Sequence, residues 1–231
     1  MRRLALLVAT APLALALPAV HATDSQTVAA ELQAAMLEYD QGHRDSARKV
    51  FERLAGEGVP AAQYDLGVMH LRGEMPRSSR SEAVRWMTLA AQNGFVLAMI
   101  DLGRLYETRG LLAKQDLPES NRWYLRAAEA GSTDAQAALG TAYYLGRGVP
   151  KDMAQAARWF REAAKGGDVG TQYLLASMYE SGDGVPQDLR LARYWYDIAA
   201  RNGDVAAPGK VKQLDAQLGG SAPTVPATGR P

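Results

Sequence analysis

The side chains that could carry chemistry in this sequence are few. There is no cysteine among the 231 residues, which excludes disulfides, thiolate metal sites, cysteine nucleophiles and a lipid-bearing N-terminal cysteine. Beyond His21, which lies in the N-terminal stretch, the histidines are His43 and His70, too far apart in sequence to form a spaced metal-ligand pair. Ser46-Ala-Arg-Lys49 has the S-x-x-K spacing of a serine nucleophile activated by a lysine, but no S-D-N or K-T-G element accompanies it. Gly-Arg-Gly-Val-Pro-Lys-Asp (146–152) and Gly-Asp-Gly-Val-Pro-Gln-Asp (182–188) are glycine-rich, yet neither is followed by the Lys-Ser/Thr of a phosphate-binding loop. Asp65, Asp101, Glu107 and Glu180 could act as acids or bases, but their spacing defines no acid pair of the kind glycan hydrolysis needs. No metal or cofactor is implied, and a solvated helix face accounts for these carboxylates at least as well.

Composition narrows the remaining classes. The chain is 47% hydrophobic and 22% charged with a net charge of +1, a globular composition without the basic excess that nucleic acid or an acidic membrane surface usually requires. Residues 1–22 open with Arg2 and Arg3, continue through an apolar run from Leu4 to Leu17, and reach small residues at Val20 and Ala22. That is the layout of a secretory leader, with cleavage expected after Ala22 and an uncleaved N-terminal anchor as the alternative. Cleavage would leave 24 basic against 25 acidic residues and no stable membrane anchor.

The elements that must position any site repeat. Tryptophan stands at 86, 123, 159 and 195, at intervals of 37, 36 and 36. In step with Trp86, Trp123, Trp159 and Trp195 run Leu66-Gly67, Leu102-Gly103, Leu139-Gly140 and Leu175-Ala176. Three residues on come His70, Tyr106, Tyr143 and Tyr179, and an alanine pair and a glycine follow every tryptophan. Leu139, Gly140 and Tyr143 share one helical face, as do Ala156, Trp159 and Ala163. Each period therefore predicts two antiparallel helices, A and B, with Asp152 and Asp188 as N-caps and a glycine closing helix B. Glycine inside helix A costs about 1 kcal/mol against alanine, so its recurrence predicts close approach of another backbone. A tryptophan per unit predicts packing between neighbouring hairpins.

This unit resembles the Sel1-like repeat, a relative of the tetratricopeptide repeat, with the pattern A-x3-L-G-x2-Y-x2-G-x-G-V-x2-D-x3-A-x2-W-x3-A-A-x2-G. Ala135 to Gly167 follows it at nearly every position and Thr171 to Gly203 almost as well. Ala62 to Gly94 has His70 at the tyrosine position and a shortened loop, while Ala98 to Gly131 replaces the glycine-valine loop with residues 111–118. The resemblance implies an all-α, right-handed α-solenoid. Its expected divisions are a leader (1–22), a tetratricopeptide-like helix pair (23–61), four repeats (62–97, 98–134, 135–170, 171–206), a capping helix (207–218) and a disordered Gly/Pro/Ser/Thr-rich tail (219–231).

The resemblance also implies a function. In such arrays helix A lines a concave groove that binds another polypeptide, here through Tyr64, Val68, Leu71, Ile100, Arg104, Glu107, Ala137, Thr141, Tyr144, Tyr173, Ser177 and Glu180, with Tyr39 and Arg72 beside them. The expectation is a non-enzymatic, exported scaffold, adaptor or regulator whose partner is a protein, such as an envelope sensor, a secretion component or part of a polysaccharide-assembly system. The alternative is a peptidoglycan-binding or β-lactamase-like cell-wall protein; the family branch linked to that activity carries a cysteine pair in each repeat, which this chain lacks.

Overall fold

The computed structural model describes residues 22–109 and 114–219. Residues 1–21, where a leader is expected, residues 110–113 of the long loop and residues 220–231, where a tail is expected, lie outside the described residues. Eleven helices run in order among those described: α1 (Ala22–Asp40), α2 (Arg44–Gly56), α3 (Pro60–Arg72), α4 (Arg80–Gln92), α5 (Val96–Glu107), α6 (Leu117–Glu129), α7 (Thr133–Leu145), α8 (Met153–Lys165), α9 (Val169–Ser181), α10 (Leu189–Arg201) and α11 (Ala207–Gln217). Each packs against the helix before it and the helix after it, so five A/B pairs stack into an α-solenoid ended by α11.

Local chemistry fixes where these helices start and stop. The B helices of the four repeats, α4, α6, α8 and α10, are capped by Ser79, Asp116, Asp152 and Asp188, whose side chains accept the orphan N–H groups of the first turn. Past each B helix Gly94, Gly131, Gly167 and Gly203 adopt φ between 86° and 100°, the left-handed turn that only glycine enters without strain. Between A and B the Asp116, Asp152 and Asp188 N–H groups donate to the Tyr106, Tyr143 and Tyr179 carbonyls at 2.9, 3.0 and 2.9 Å. The aberrant loop of the second repeat is thus closed by the same bond as its regular neighbours.

The core runs through the pairs rather than within them. Trp159 on α8 belongs to one apolar cluster with Leu102 and Leu105 of α5 and Leu139 of α7, so the ring ties its own pair to the one before. Trp123 and Trp195 are buried in the same way, whereas Trp86 is half-buried against the cluster of Phe51, Leu54 and Leu66. The helix A glycines serve a purpose other than the predicted backbone approach. A Cβ on Gly103 would lie 2.6 Å from the Tyr124 ring, and one on Gly140 would lie 2.5 Å from the Phe160 ring. At Gly67 it would lie 2.6 Å from the Met87 side chain, with the α4 backbone next at 3.2 Å. What fills the glycine notch is the side chain one residue after the tryptophan.

Candidate functional site

The A helices α1, α3, α5, α7 and α9 present the face on which the partner-binding residues were expected. Tyr39 of α1 donates its hydroxyl to Glu74 just past α3 (2.7 Å) and receives the Arg72 guanidinium (2.8 Å). Tyr64 of α3 donates to Asp101 of α5 (2.7 Å), and Arg104 of α5 reaches both Asp101 (3.3 Å) and Asp134 of α7 (3.5 Å). Burial and the Asp101 carboxylate together push the Tyr64 hydroxyl well above the ordinary phenol range, so it stays a neutral donor. These bonds bring Tyr39 with Arg72, and Tyr64 with Arg104, into two polar bridges across successive repeats.

The remaining candidates divide. Glu107 accepts from the Tyr124 hydroxyl (2.9 Å) and pairs with Arg147 (3.1 Å); Glu180 accepts from Tyr196 (2.7 Å) and from Lys210 (2.9 Å). They are half-buried clasps that join helix A to its own helix B and to the element that follows, not the freely solvated face that the sequence alone suggests. Burial pushes the Glu180 carboxyl up, but the bonds from Lys210 and Tyr196 outweigh it and hold the group below its ordinary value. Tyr144 packs against Phe160, its ring centroid 6.2 Å away, and Tyr173 meets Tyr196 edge-on at 5.0 Å. Ile100 is the correction: at 7% exposure it sits in the core cluster with Met99, Leu102 and Leu105, because an aliphatic side chain at this position gains more from burial than from facing the groove.

Several participants escaped the reading of the sequence. Tyr124 and Tyr196 were passed over because the residue after the tryptophan varies, although Met87, Tyr124, Phe160 and Tyr196 recur in register. Gln63, Gln136 and Gln172 each donate to a carbonyl eight residues back, on the preceding B helix, at 3.1 to 3.2 Å. Asn93 and Asn202 return a bond to Gln63 and Gln172 at 3.0 Å. In the second repeat both positions are apolar, as Met99 and Ala130, and no such bond is needed.

Among the described residues no group of His, Asp and Glu is placed to hold a metal ion. His70 is buried with an unpartnered Nδ1, and burial lowers its pKa, so it is a neutral packing residue. Ser46 and Lys49 are both exposed, and no hydrogen bond joins them. A cleft of about 120 Å³ lies beside the Glu107 clasp, lined by Ser120, Asn121, Tyr124, Thr141 and Arg147. That is room for a few waters, each occupying about 30 Å³ in the liquid.

Comparison with known proteins agrees with this geometry. The crystal structure of c5321, a protective antigen present in uropathogenic Escherichia coli strains and displaying an SLR fold, superposes with a TM-score of 0.72 at 30% identity, over 85% of this chain and 43% of that one. A Sel1 repeat protein from Oxalobacter formigenes superposes with a TM-score of 0.64 at 37% identity, over 74% and 49%. Among curated proteins, the uncharacterized protein NMB1327 of Neisseria meningitidis is 29% identical over 103 residues, 45% of this chain and 21% of its own length. The mouse DAP3-binding cell death enhancer 1 is 33% identical over 100 residues, 43% and 19% of the two lengths. The chain thus spans about a fifth of the curated relatives it matches. The Sel1 repeat family model matches residues 60–95, 96–132, 133–168 and 171–204, which together make up more than half of the sequence, and with these four units in tandem the chain belongs to the Sel1 repeat family.

Proposed function

We propose that this protein is a non-enzymatic scaffold, adaptor or regulator that holds a partner polypeptide along its A-helix face. Sel1 repeats generally mediate protein–protein contacts and generally form non-enzymatic scaffolds. The observation that carries the reading here is the pair of inter-repeat bridges, Tyr39–Arg72 and Tyr64–Asp101–Arg104–Asp134. They fix tyrosine and arginine side chains, the types enriched at binding hot spots, before any partner arrives. A preorganised row costs less side-chain entropy on binding than a set of free rotamers, and it suits an extended or helical segment. The leader-like N-terminus supports an envelope or exported setting, where a sensor, secretion or polysaccharide-assembly component is the kind of partner proposed.

The test is capture of a partner from an envelope extract, followed by direct binding of that purified partner to wild type and to a Tyr64→Ala, Arg104→Ala variant. A loss of at least about tenfold with unchanged helicity supports the groove. Turnover of nitrocefin or muropeptides that disappears on Ser46→Ala or Glu107→Ala overturns it in favour of a cell-wall enzyme.

A further inference from the structure

The near-neutral net charge conceals a separation between the two layers of helices. The B helices α2, α4, α6, α8 and α10 carry fourteen Arg or Lys against seven Asp or Glu, a surplus of seven positive charges. The A helices α1, α3, α5, α7 and α9 carry two Arg against nine Asp or Glu, an equal surplus of negative charge. Within the B layer the separation has a register. The residue before Val50, at the matching place in the first pair, and before Trp86, Trp123 and Trp159 is Lys49, Arg85, Arg122 and Arg158, spaced 36, 37 and 36 apart. All four are exposed, and the row ends at Tyr194.

No single structural duty is common to this row. Arg85 and Arg158 lie over the rings of Trp86 and Trp159 at 5.3 and 5.2 Å, which a packing role would explain. Arg122, however, leaves the Trp123 ring to Arg126, and Lys49 has no tryptophan beside it. Arg85 and Arg122 each keep a carboxylate one turn away, Glu82 and Glu119, whereas Lys49 and Arg158 have no ion pair among the described residues. On the same face Leu125 stands three residues after Arg122, and Leu191 three before Tyr194. Both leucines are 36% or more exposed.

We propose that the B-helix face docks peripherally on an anionic lipid bilayer, leaving the A-helix face turned to solution. The arginine row suits phosphate headgroups, which the guanidinium fork engages bidentately. The interspersed Leu125, Leu191 and Tyr194 suit the headgroup–acyl boundary, where apolar and aromatic side chains settle. A soluble acidic polymer would use the charges and have no use for the leucines. No described helix is long and apolar enough to cross a membrane, so the association is a surface one, held by several weak charges acting together.

Vesicle co-sedimentation tests this with the full chain as it is expressed and processed, on phosphatidylcholine vesicles with and without phosphatidylglycerol. The expected result is binding only when phosphatidylglycerol is present, weakened at least about tenfold between about 0.1 M and about 0.5 M salt. The variant Lys49→Glu, Arg122→Glu, which leaves every tryptophan stack in place, should lose at least about tenfold with unchanged helicity. Leu125→Ser with Leu191→Ser should lose severalfold. Equal binding by wild type and the charge variant, or no binding to the anionic vesicles, overturns the proposal. Soluble polyglutamate that displaces the protein as well as vesicles do, with the leucine variant unaffected, also overturns it, in favour of an acidic polymer.

Discussion

Two of the four Sel1 pairs hold helix A to helix B with a carboxylate and a phenol, and a third sets two aromatic rings against each other at the same places. In the α5/α6 pair the unit is Gly103, Glu107 and Tyr124, and in α9/α10 it is Ala176, Glu180 and Tyr196. The same three places hold Gly67, Leu71 and Met87 in α3/α4, and Gly140, Tyr144 and Phe160 in α7/α8. In three of the pairs a polar residue on one helix is answered by a polar residue on the other, or a ring by a ring, while in α3/α4 Leu71 is exposed. Variation that looks free at a single position is compensated in space, because a buried hydroxyl without an acceptor, or a half-buried carboxylate without a donor, is costly.

The largest effect should come from what both kinds of pair share. Trp159→Ala should destabilise by about 3–5 kcal/mol in urea unfolding, and Trp123→Ala by a similar amount, since both rings are buried across repeat boundaries. Trp86→Ala should cost less, its ring being half-buried. Losses below about 1 kcal/mol at Trp159 would mean the rings do not join the pairs. Gly140→Ala comes next, with a destabilisation of about 1–3 kcal/mol because the new Cβ meets the Phe160 ring. Ala176 stands at the corresponding place opposite Tyr196, so an unchanged stability for Gly140→Ala would show that the ring can step aside as it does there.

A third contrast lies within the A layer. Asp101 is held by Tyr64 and Arg104, while Asp65, at the same place one repeat earlier, has no hydrogen bond or ion pair, and burial pushes its carboxyl up to about 6. Because the folded value lies above the ordinary 3.8, the fold disfavours the ionised form. Its contribution to stability is full below about 3.8 and is lost as pH rises through about 6. Asp65→Asn should therefore stabilise by about 1–2 kcal/mol at pH 7, an advantage that disappears by about pH 4. Paired thermal melts at the two pH values check it, and a constant difference would show that Asp65 is paired in solution.

Most of the fold was legible because its signals are local and repeated. The tryptophan period, the N-cap aspartates and the closing glycines each act within one or two turns, so Asp152, Asp188 and Gly167 announce their structural roles in the sequence. The face was legible only in outline. Position along helix A selected Glu107 and Glu180, but not the clasps that occupy them, because Tyr124, Arg147, Tyr196 and Lys210 lie 16 to 40 residues away and belong to other helices or loops. Ile100 was misassigned for the related reason that a position was carried over without its residue type. The charge separation between layers was invisible to net charge, since the two opposed surpluses cancel and the residues outside these helices supply the total of +1.

The smallest expected effect is the one that would establish the paired positions as a unit. Tyr124→Phe removes one bond from Glu107, which keeps Arg147, and should cost about 0.5–1.5 kcal/mol. Glu107→Tyr alone takes the carboxylate acceptor from the buried Tyr124 hydroxyl and should cost about 1–3 kcal/mol. Installing the third repeat's pair in the second, as Glu107→Tyr with Tyr124→Phe, restores a matched apolar contact above a glycine of the same kind, Gly103 in place of Gly140. Arg147, already partly in solvent, is then the one group left without its partner, at little cost. The double variant should therefore fall within about 1 kcal/mol of wild type, giving a coupling that the single variants do not sum to. A cycle in which the two changes simply add would show that each position packs on its own terms, and that the alternation between polar and apolar pairs is no more than coincidence.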